Sequence, residues 1–345
     1  MRVARLLILA LVFGFPGEAS MWSVQTSGIH TNLRGMSAVH GRGADGKATD
    51  VVWVSGSGGV ILKSVDGGEN WKQLHVAGGE KLDFRGIRAF DERTAYAMSI
   101  GSGENSRIYK TTDGGENWTM QFSDKREAFF LDDIVCASEK ECFAVSDSVD
   151  GKIPIASTND GVHWKEMPSD GMPVALAGEG AFAASGTTLA MDGKHDLYIG
   201  TGGLKARVFH SADLGKNWTV TETPLLSGEA SQGIFSVFPA GETVVIVGGD
   251  YKETKAAVRV AAYSTDKGVT WRLAEQQPAG FRSAVASIGG KTLVAVGPSG
   301  EDVSYDNGVH WAHTDSLDLN AVVVLDGNAW AAGPKGTVAR LKKTR

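Results

Sequence analysis

The chain has 345 residues, with 34 Lys and Arg against 40 Asp and Glu, a formal net charge of -6. That balance excludes a broad nucleic-acid footprint, which needs clustered basic side chains to meet phosphates. Length alone would allow two domains, but 45 Gly beside only nine Pro suit many tight turns between short strands, and a closed all-β ring holds this many residues as one body.

The chain opens on "MRVARLLILALVFGFPGEAS". Arg2 and Arg5 precede an apolar run from Leu6 to Phe15, then come Pro16 and small residues up to Ala19. This is the pattern of a secretory signal peptide over residues 1–19, with an apolar core too short to span a bilayer. Its removal leaves 32 basic and 39 acidic residues, a net charge of -7. No apolar stretch of membrane length follows. The mature chain, residues 20–345, is expected to be exported, periplasmic or extracellular, with no transmembrane segment.

From Trp22 onward the chain reads as short strands. "WSVQTS" comes first. Residues 32–76 then give "LRGMSAV", "DVVWVSG", "GVILKSV", the tight turn "DGGEN" and "WKQLHV". Residues 82–123 repeat the plan with "DFRGIRAF", "TAYAMSI", "SRIYKTT", "DGGEN" and "WTMQFS". Each run alternates or is β-branched and is bounded by Gly, Asp or Asn, and no apolar helical period appears after the leader.

The turn before the fourth strand recurs six times: "SVDGGENW", "TTDGGENW", "STNDGVHW", "SADLGKNW", "STDKGVTW" and "SYDNGVHW". Counted back from Trp71, Trp118, Trp164, Trp218, Trp271 and Trp311, the acid position holds Asp66, Asp113, Asn159, Asp213, Asp266 and Asp306. A motif repeated at this period marks a structural unit rather than one active site. The Asp accepts N–H bonds inside the turn, a Gly such as Gly68 supplies a backbone shape other residues avoid, and the Trp buries its ring between sheets. Asn159 in the third copy argues against an ion or catalytic role for the boxes. Between the second and third boxes, Cys136 and Cys142 flank the short turn "SEKE"; in an exported chain they are expected to form a disulfide.

Four-stranded units arranged radially make a β-propeller. After the sixth box, "LNAVVVL", "NAWAAGP" and "GTVARL" supply only three strands. The missing fourth is "MWSVQTS" at the other end, since Trp22 matches the Trp of every other unit. The expectation is therefore an all-β, seven-bladed β-propeller forming one domain. Its last blade is built from about 318–341 plus about 21–27, which closes the ring and removes sheet edges.

The boxes resemble the Asp-box, or bacterial neuraminidase repeat. The fuller phrases "WSVQTSG", "LRGMSAV" and "VVWVSGSGGVILKSVDGGENW" are similar to the photosystem II stability and assembly factor family and its bacterial relatives. That resemblance implies a seven-bladed propeller that binds assembly intermediates of membrane complexes without doing chemistry. It also implies a lumenal location in a photosynthetic cell, and a basic patch to which Arg34 in "LRG" and Arg85 in "FRG" correspond. The lipid-anchor Cys of some members is missing. The insert "PSDGMPVALAGEGAFAASGTTLAM" and the loop "GGDYKETKAAVRV" match a bacterial subgroup.

In a propeller the connections entering the first strands share a face with the second-to-third-strand loops, opposite the boxes. The expected channel-mouth residues are Arg34, Arg85, Asp132, Arg282 and Asn320. Asp147 and Asp250 join them from second-strand ends, with Glu179, Arg207 and Tyr251 from rim loops. Ring closure makes Arg282, Asn320, Arg34 and Arg85 neighbours, a cationic arc suited to a carboxylate or phosphate. The alternative is that these arginines pair with local carboxylates and line a wet channel. The expected partner is a protein of the cell envelope or an anionic small ligand. No nucleic acid, cofactor or metal is expected.

A glycan hydrolase is the rival function. Sialidases resemble this design, with arginines gripping a carboxylate, a Tyr activated by Glu, and an acidic proton donor. Tyr251, Glu179 and Asp147 supply the residue types, but "FRGI" at 84–87 and "FRSA" at 281–284 depart from the sialidase "FRIP" phrase. An oxidoreductase ranks last. "GRGADG" at 41–46 matches a dinucleotide fingerprint only formally, since no helix follows it.

Overall fold

The computed structural model describes residues 21–342. The expected leader over 1–19 and the basic ending beyond Lys342 lie outside the described residues. The described chain forms seven four-stranded antiparallel sheets. Blade one runs Leu33–Arg42, Ala48–Gly56, Ile61–Ser64 and Lys72–Leu74, from the channel outward. Blades two to six repeat this order. Their inner strands begin at Asp83, Leu131, Leu189, Gln232 and Ala284. Each inner strand packs on the inner strands of its neighbours, all the way around the ring. Two short 3-10 turns, Gly103–Asn105 and Pro334–Gly336, are the only helical turns among the described residues.

Blade seven takes Ala321–Leu325, Asn328–Ala332 and Val338–Leu341 from the end of the chain, and Trp22–Gln25 from its start. The register pairs Trp22 with Leu341 and Gln25 with Val338. Ser27 Oγ donates to the Gly336 carbonyl at 2.6 Å, and Asn320 Nδ2 donates to the Leu33 carbonyl at 2.9 Å. The chain ends therefore share one sheet. No exposed sheet edge is left at the joint.

The core lies between blades rather than at one centre. Trp53, Ile61 and Leu74 of blade one pack with Phe84, Ile87, Ala97 and Tyr109 of blade two. The boxed indoles point back at the preceding blade: Trp118 stands edge-on to Trp53 at 6.3 Å and Trp164 edge-on to Tyr96 at 5.7 Å. The second strands in turn grip the next blade's turn. Trp330 Nε1 donates to the Gly67 carbonyl at 2.8 Å, and Tyr96 donates to the Gly161 carbonyl at 3.0 Å. This explains Gly68, whose φ is 95°. A Cβ there would stand 3.1 Å from Trp330 Nε1.

Each box is one hydrogen-bonded knot. In the first, Ser64 Oγ donates to Asp66 at 2.7 Å and accepts the Gly68 N–H at 2.8 Å. Asp66 accepts both the backbone and the side-chain N–H of Asn70 at 2.9 Å. The equivalent donors, Asn117 on Asp113, Asn217 on Asp213 and Thr270 on Asp266, together with the box hydroxyl, pull these three acids down to about 2. The third box corrects the sequence reading. Asp160, not Asn159, is the box acid: it accepts from Thr158 Oγ1 at 3.1 Å and from the N–H groups of Val162 and His163 at 2.8 Å. This turn is one residue shorter between hydroxyl and Trp, so counting back from Trp164 lands one position early. The argument drawn from Asn159 against a box role in chemistry therefore falls.

Cys136 and Cys142 are joined by a disulfide across the hairpin of blade three, where they face each other as Cα partners. No helix among the described residues is long and apolar enough to cross a membrane.

Candidate functional site

The entrances of the inner strands and the exits of the second strands open on one face, around a cavity of about 730 Å3. Blades one to three contribute Arg34, Arg85, Asp132 and Asp147 to its wall. Blades five and six contribute Phe235, Tyr251 and Phe281. Between them runs the long connection from blade three to blade four, whose residues 178–184 also line the cavity. This strap crosses the mouth, touching blades on both sides of the ring.

The mouth arginines are held by that strap. Arg85 donates to the Ala183 carbonyl at 2.6 Å and forks onto Asp83 at 2.8 and 3.0 Å. Arg34 donates to the Ala184 carbonyl at 3.4 Å. Burial, then the neighbouring Arg85 charge, pushes Arg34 down to about 10. Beside Arg34 and Arg85, Arg88 donates to the Gly186 carbonyl at 2.5 Å.

Asp132 and Asp147 meet because Leu131 pairs with Ser146, and a bulge follows between Leu131 and Asp133. Burial pushes Asp147 up to about 6. Asp132 goes well above the usual carboxylate range, through burial first and then the Asp147 and Asp133 charges. Both face the strap, whose Ala183 and Ala181 N–H groups offset part of that rise. Asp132 Oδ2 is buried with no hydrogen-bond partner. Such an arrangement favours a pair that keeps a proton, because two like charges at one dry site repel.

The aromatic wall is continuous. Phe182 of the strap stacks on Phe235 with centroids 3.9 Å apart. Tyr251, 48 % exposed, sets its edge against Phe182 at 6.5 Å and Phe235 at 6.1 Å. Phe281 closes on Phe235 at 4.6 Å.

Several expected site residues are elsewhere or occupied, and the cationic arc is broken. Arg282 is 0 % exposed. Its Nε donates to Asp302 at 2.6 Å, and NH1 to Ser299 Oγ and the Phe281 carbonyl at 2.8 Å. It is an internal ion pair, directed outward along its own sheet instead of into the channel. Asn320 is buried and ties blade seven to blade one. Asp250 is buried, accepting from Lys252 N–H at 2.9 Å and Gln232 Nε2 at 3.1 Å. Arg207 is buried and forks onto Glu179. Glu179 lines the cavity, but its carboxylate also accepts from Thr201 Oγ1 and the Leu176 N–H, both at 2.7 Å. It therefore holds the strap and does not activate Tyr251. Among the described residues, no group of three or more His, Cys, Asp or Glu is placed to hold a metal ion.

The sequence reading missed Phe130, Phe182, Phe235 and Phe281 as mouth residues. One signal pointed to the strap. The stretch between the third and fourth blades is the longest connection, and it places a lone Phe182 among Gly, Ala and Ser.

Residues 42–148 match the family model described as photosynthesis system II assembly factor YCF48. No curated protein matches the chain in sequence. A solved structure described as YCF48 bound to D1 peptide is similar at 13% identity and a TM-score of 0.63, covering 95% of this chain and 98% of that one. YCF48 from Cyanidioschyzon merolae is similar at 14% identity and 0.66, covering 94% and 99%. These likenesses show the propeller fold. The Niastella koreensis GH74 enzyme, at 17% identity and a TM-score of 0.38 over 81% of this chain and 57% of that one, is too distant to bear on chemistry.

Proposed function

We propose that this chain is an exported, non-catalytic propeller whose channel mouth binds a segment of a protein partner, as an assembly or stability factor for an envelope or membrane complex. The observation that carries it is the make-up of the mouth. A cavity of about 730 Å3 sets an aromatic wall, with Tyr251 half exposed and Phe235 and Phe281 buried behind it, against charged donors, the mix that recognition sites use. Glu179 and Asp83 are committed to arginines and are not poised for proton transfer. The family match at 42–148, and the fold shared with a YCF48 bound to D1 peptide, support a peptide as the ligand. An anionic small ligand is the lesser form of this reading, because both cavity arginines already have partners.

The test is affinity capture from envelope extracts with three proteins: wild type, a mouth variant (Phe130→Ala with Tyr251→Ala), and a box-face variant (Tyr305→Ala). The mouth variant should lose the captured partner while the box-face variant keeps it. Equal capture by all three would overturn the assignment of the mouth.

A glycan hydrolase is the second reading, favoured by one observation, the proton-retaining pair Asp132 and Asp147 on the cavity wall. Against it, Asp132 is buried and both carboxyls face the strap. Turnover of fluorogenic glycosides that is abolished by Asp147→Asn would establish it.

A further inference from the structure

Over residues 180–184 the polar groups of the mouth wall meet the strap through its main chain. Arg85 donates to the Ala183 carbonyl at 2.6 Å, Arg34 to the Ala184 carbonyl at 3.4 Å and the Gly202 N–H to the Gly180 carbonyl at 2.9 Å. In the span 180–184 the side chains are Gly, Ala, Phe, Ala and Ala. Only Phe182 offers the wall a large group, and it stacks on Phe235. Backbone groups held by fixed donors, with one side chain seated on a ring, is how propeller-independent peptide sites also work: main-chain bonds give affinity and the anchored side chain gives selectivity.

We infer that residues 180–184 are an internal stand-in for the partner, and that the ligand which displaces them is a peptide with one aromatic side chain flanked by small residues. This rests on the peptide-binding function proposed above and adds the ligand's chemistry and a built-in competitor. The strap lowers apparent affinity by the fraction of time it occupies the mouth. The strap is pinned on either side, by the Glu179 carboxylate on Arg207 and Thr201 and by Ser185 Oγ, which donates to the Ser283 carbonyl at 2.7 Å. Between those pins Phe182 holds one stacked ring, and the remaining bonds are ones an incoming peptide reproduces.

The probe is a fluorescein-labelled synthetic peptide of residues 177–187, "AGEGAFAASGT", titrated into the full mature chain. Phe182→Ala should bind it at least tenfold tighter than wild type, and replacing the Phe in the peptide by Ala should cost at least tenfold. Equal affinity for variant and wild type, or no binding to either at millimolar peptide, overturns the inference. A second measurement avoids dependence on how the variant folds. In wild type, saturating peptide should speed hydrogen exchange at the Ala184 amide, which donates to the Phe182 carbonyl at 2.8 Å, and binding that leaves it protected also overturns it. The two proposals fail separately. A partner captured equally by wild type and Phe182→Ala removes the stand-in and leaves the binding function. Capture insensitive to the mouth variant removes the function whatever the strap does.

Discussion

Arg282 separates an internal ion pair from a ligand contact. Arg282→Ala removes a guanidinium that is 0 % exposed and leaves Asp302, 1 % exposed, with only the Ala279 N–H at 3.1 Å and His313 at 3.8 Å. Breaking a buried pair from one side costs about 3–5 kcal/mol, because the remaining charge stays in the dry interior. The Ser299 and Phe281 contacts place the value toward the upper end of about 3–5 kcal/mol. Removing both charges, in Arg282→Met with Asp302→Leu, should recover much of that loss, since two neutral apolar groups leave nothing uncompensated. Calorimetry at pH 7, with unfolding followed in parallel by Trp fluorescence, measures both. The expected result is a large drop in melting temperature for the single variant and a smaller one for the double. A single variant as stable as wild type that fails to capture the partner would refute the reasoning and return Arg282 to the mouth.

Three other outcomes follow from the same geometry. Asp160→Ala should lower the melting temperature, whereas Asn159→Ala should leave it unchanged; the reverse order would restore Asn159 as the box residue. The Asp132–Asp147 pair is raised on folding, so its contribution to stability is whole below about pH 4 and lost as pH rises through about 6. The box acids Asp113, Asp213 and Asp266 are lowered, so theirs is present above about pH 4 and lost as pH falls toward about 2. Urea midpoints should therefore fall between pH 5 and pH 8, and Asp132→Asn, which keeps the shape of the side chain and cannot ionise, should flatten that fall. The Cys136–Cys142 bridge closes so short a loop that reducing it should cost only about 2 kcal/mol, read as a modest shift in the urea midpoint without loss of fold.

The ring was legible because its signals are local and repeated. Each Trp follows a turn of fixed chemistry, and the count of strands after Trp311 demanded one more from Trp22. The third box was misread because a one-residue shortening is invisible when the turn is counted from Trp164, though Thr158 and Asp160 keep the two-residue spacing of Ser64 and Asp66. The mouth was legible as a place. Arg34, Arg85, Asp132, Asp147, Glu179 and Tyr251 do converge on one cavity. What each touches was not, because those partners lie far along the chain. Arg85 meets a strap carbonyl 98 positions away, and the Arg282 carboxylate comes from the third strand of its own blade, 20 positions on. Charge alone suggested an open cationic arc; tertiary contacts gave its members partners.

The central claim is that the partner docks on the mouth face and not on the face of the boxes. Photo-crosslinking tests it most directly, with a benzophenone side chain placed at Tyr251 in one protein and at Tyr305 in another. Crosslinked peptides should come from the Tyr251 position and contain an aromatic residue among small ones, with none from Tyr305. Crosslinks from Tyr305 alone would contradict the account.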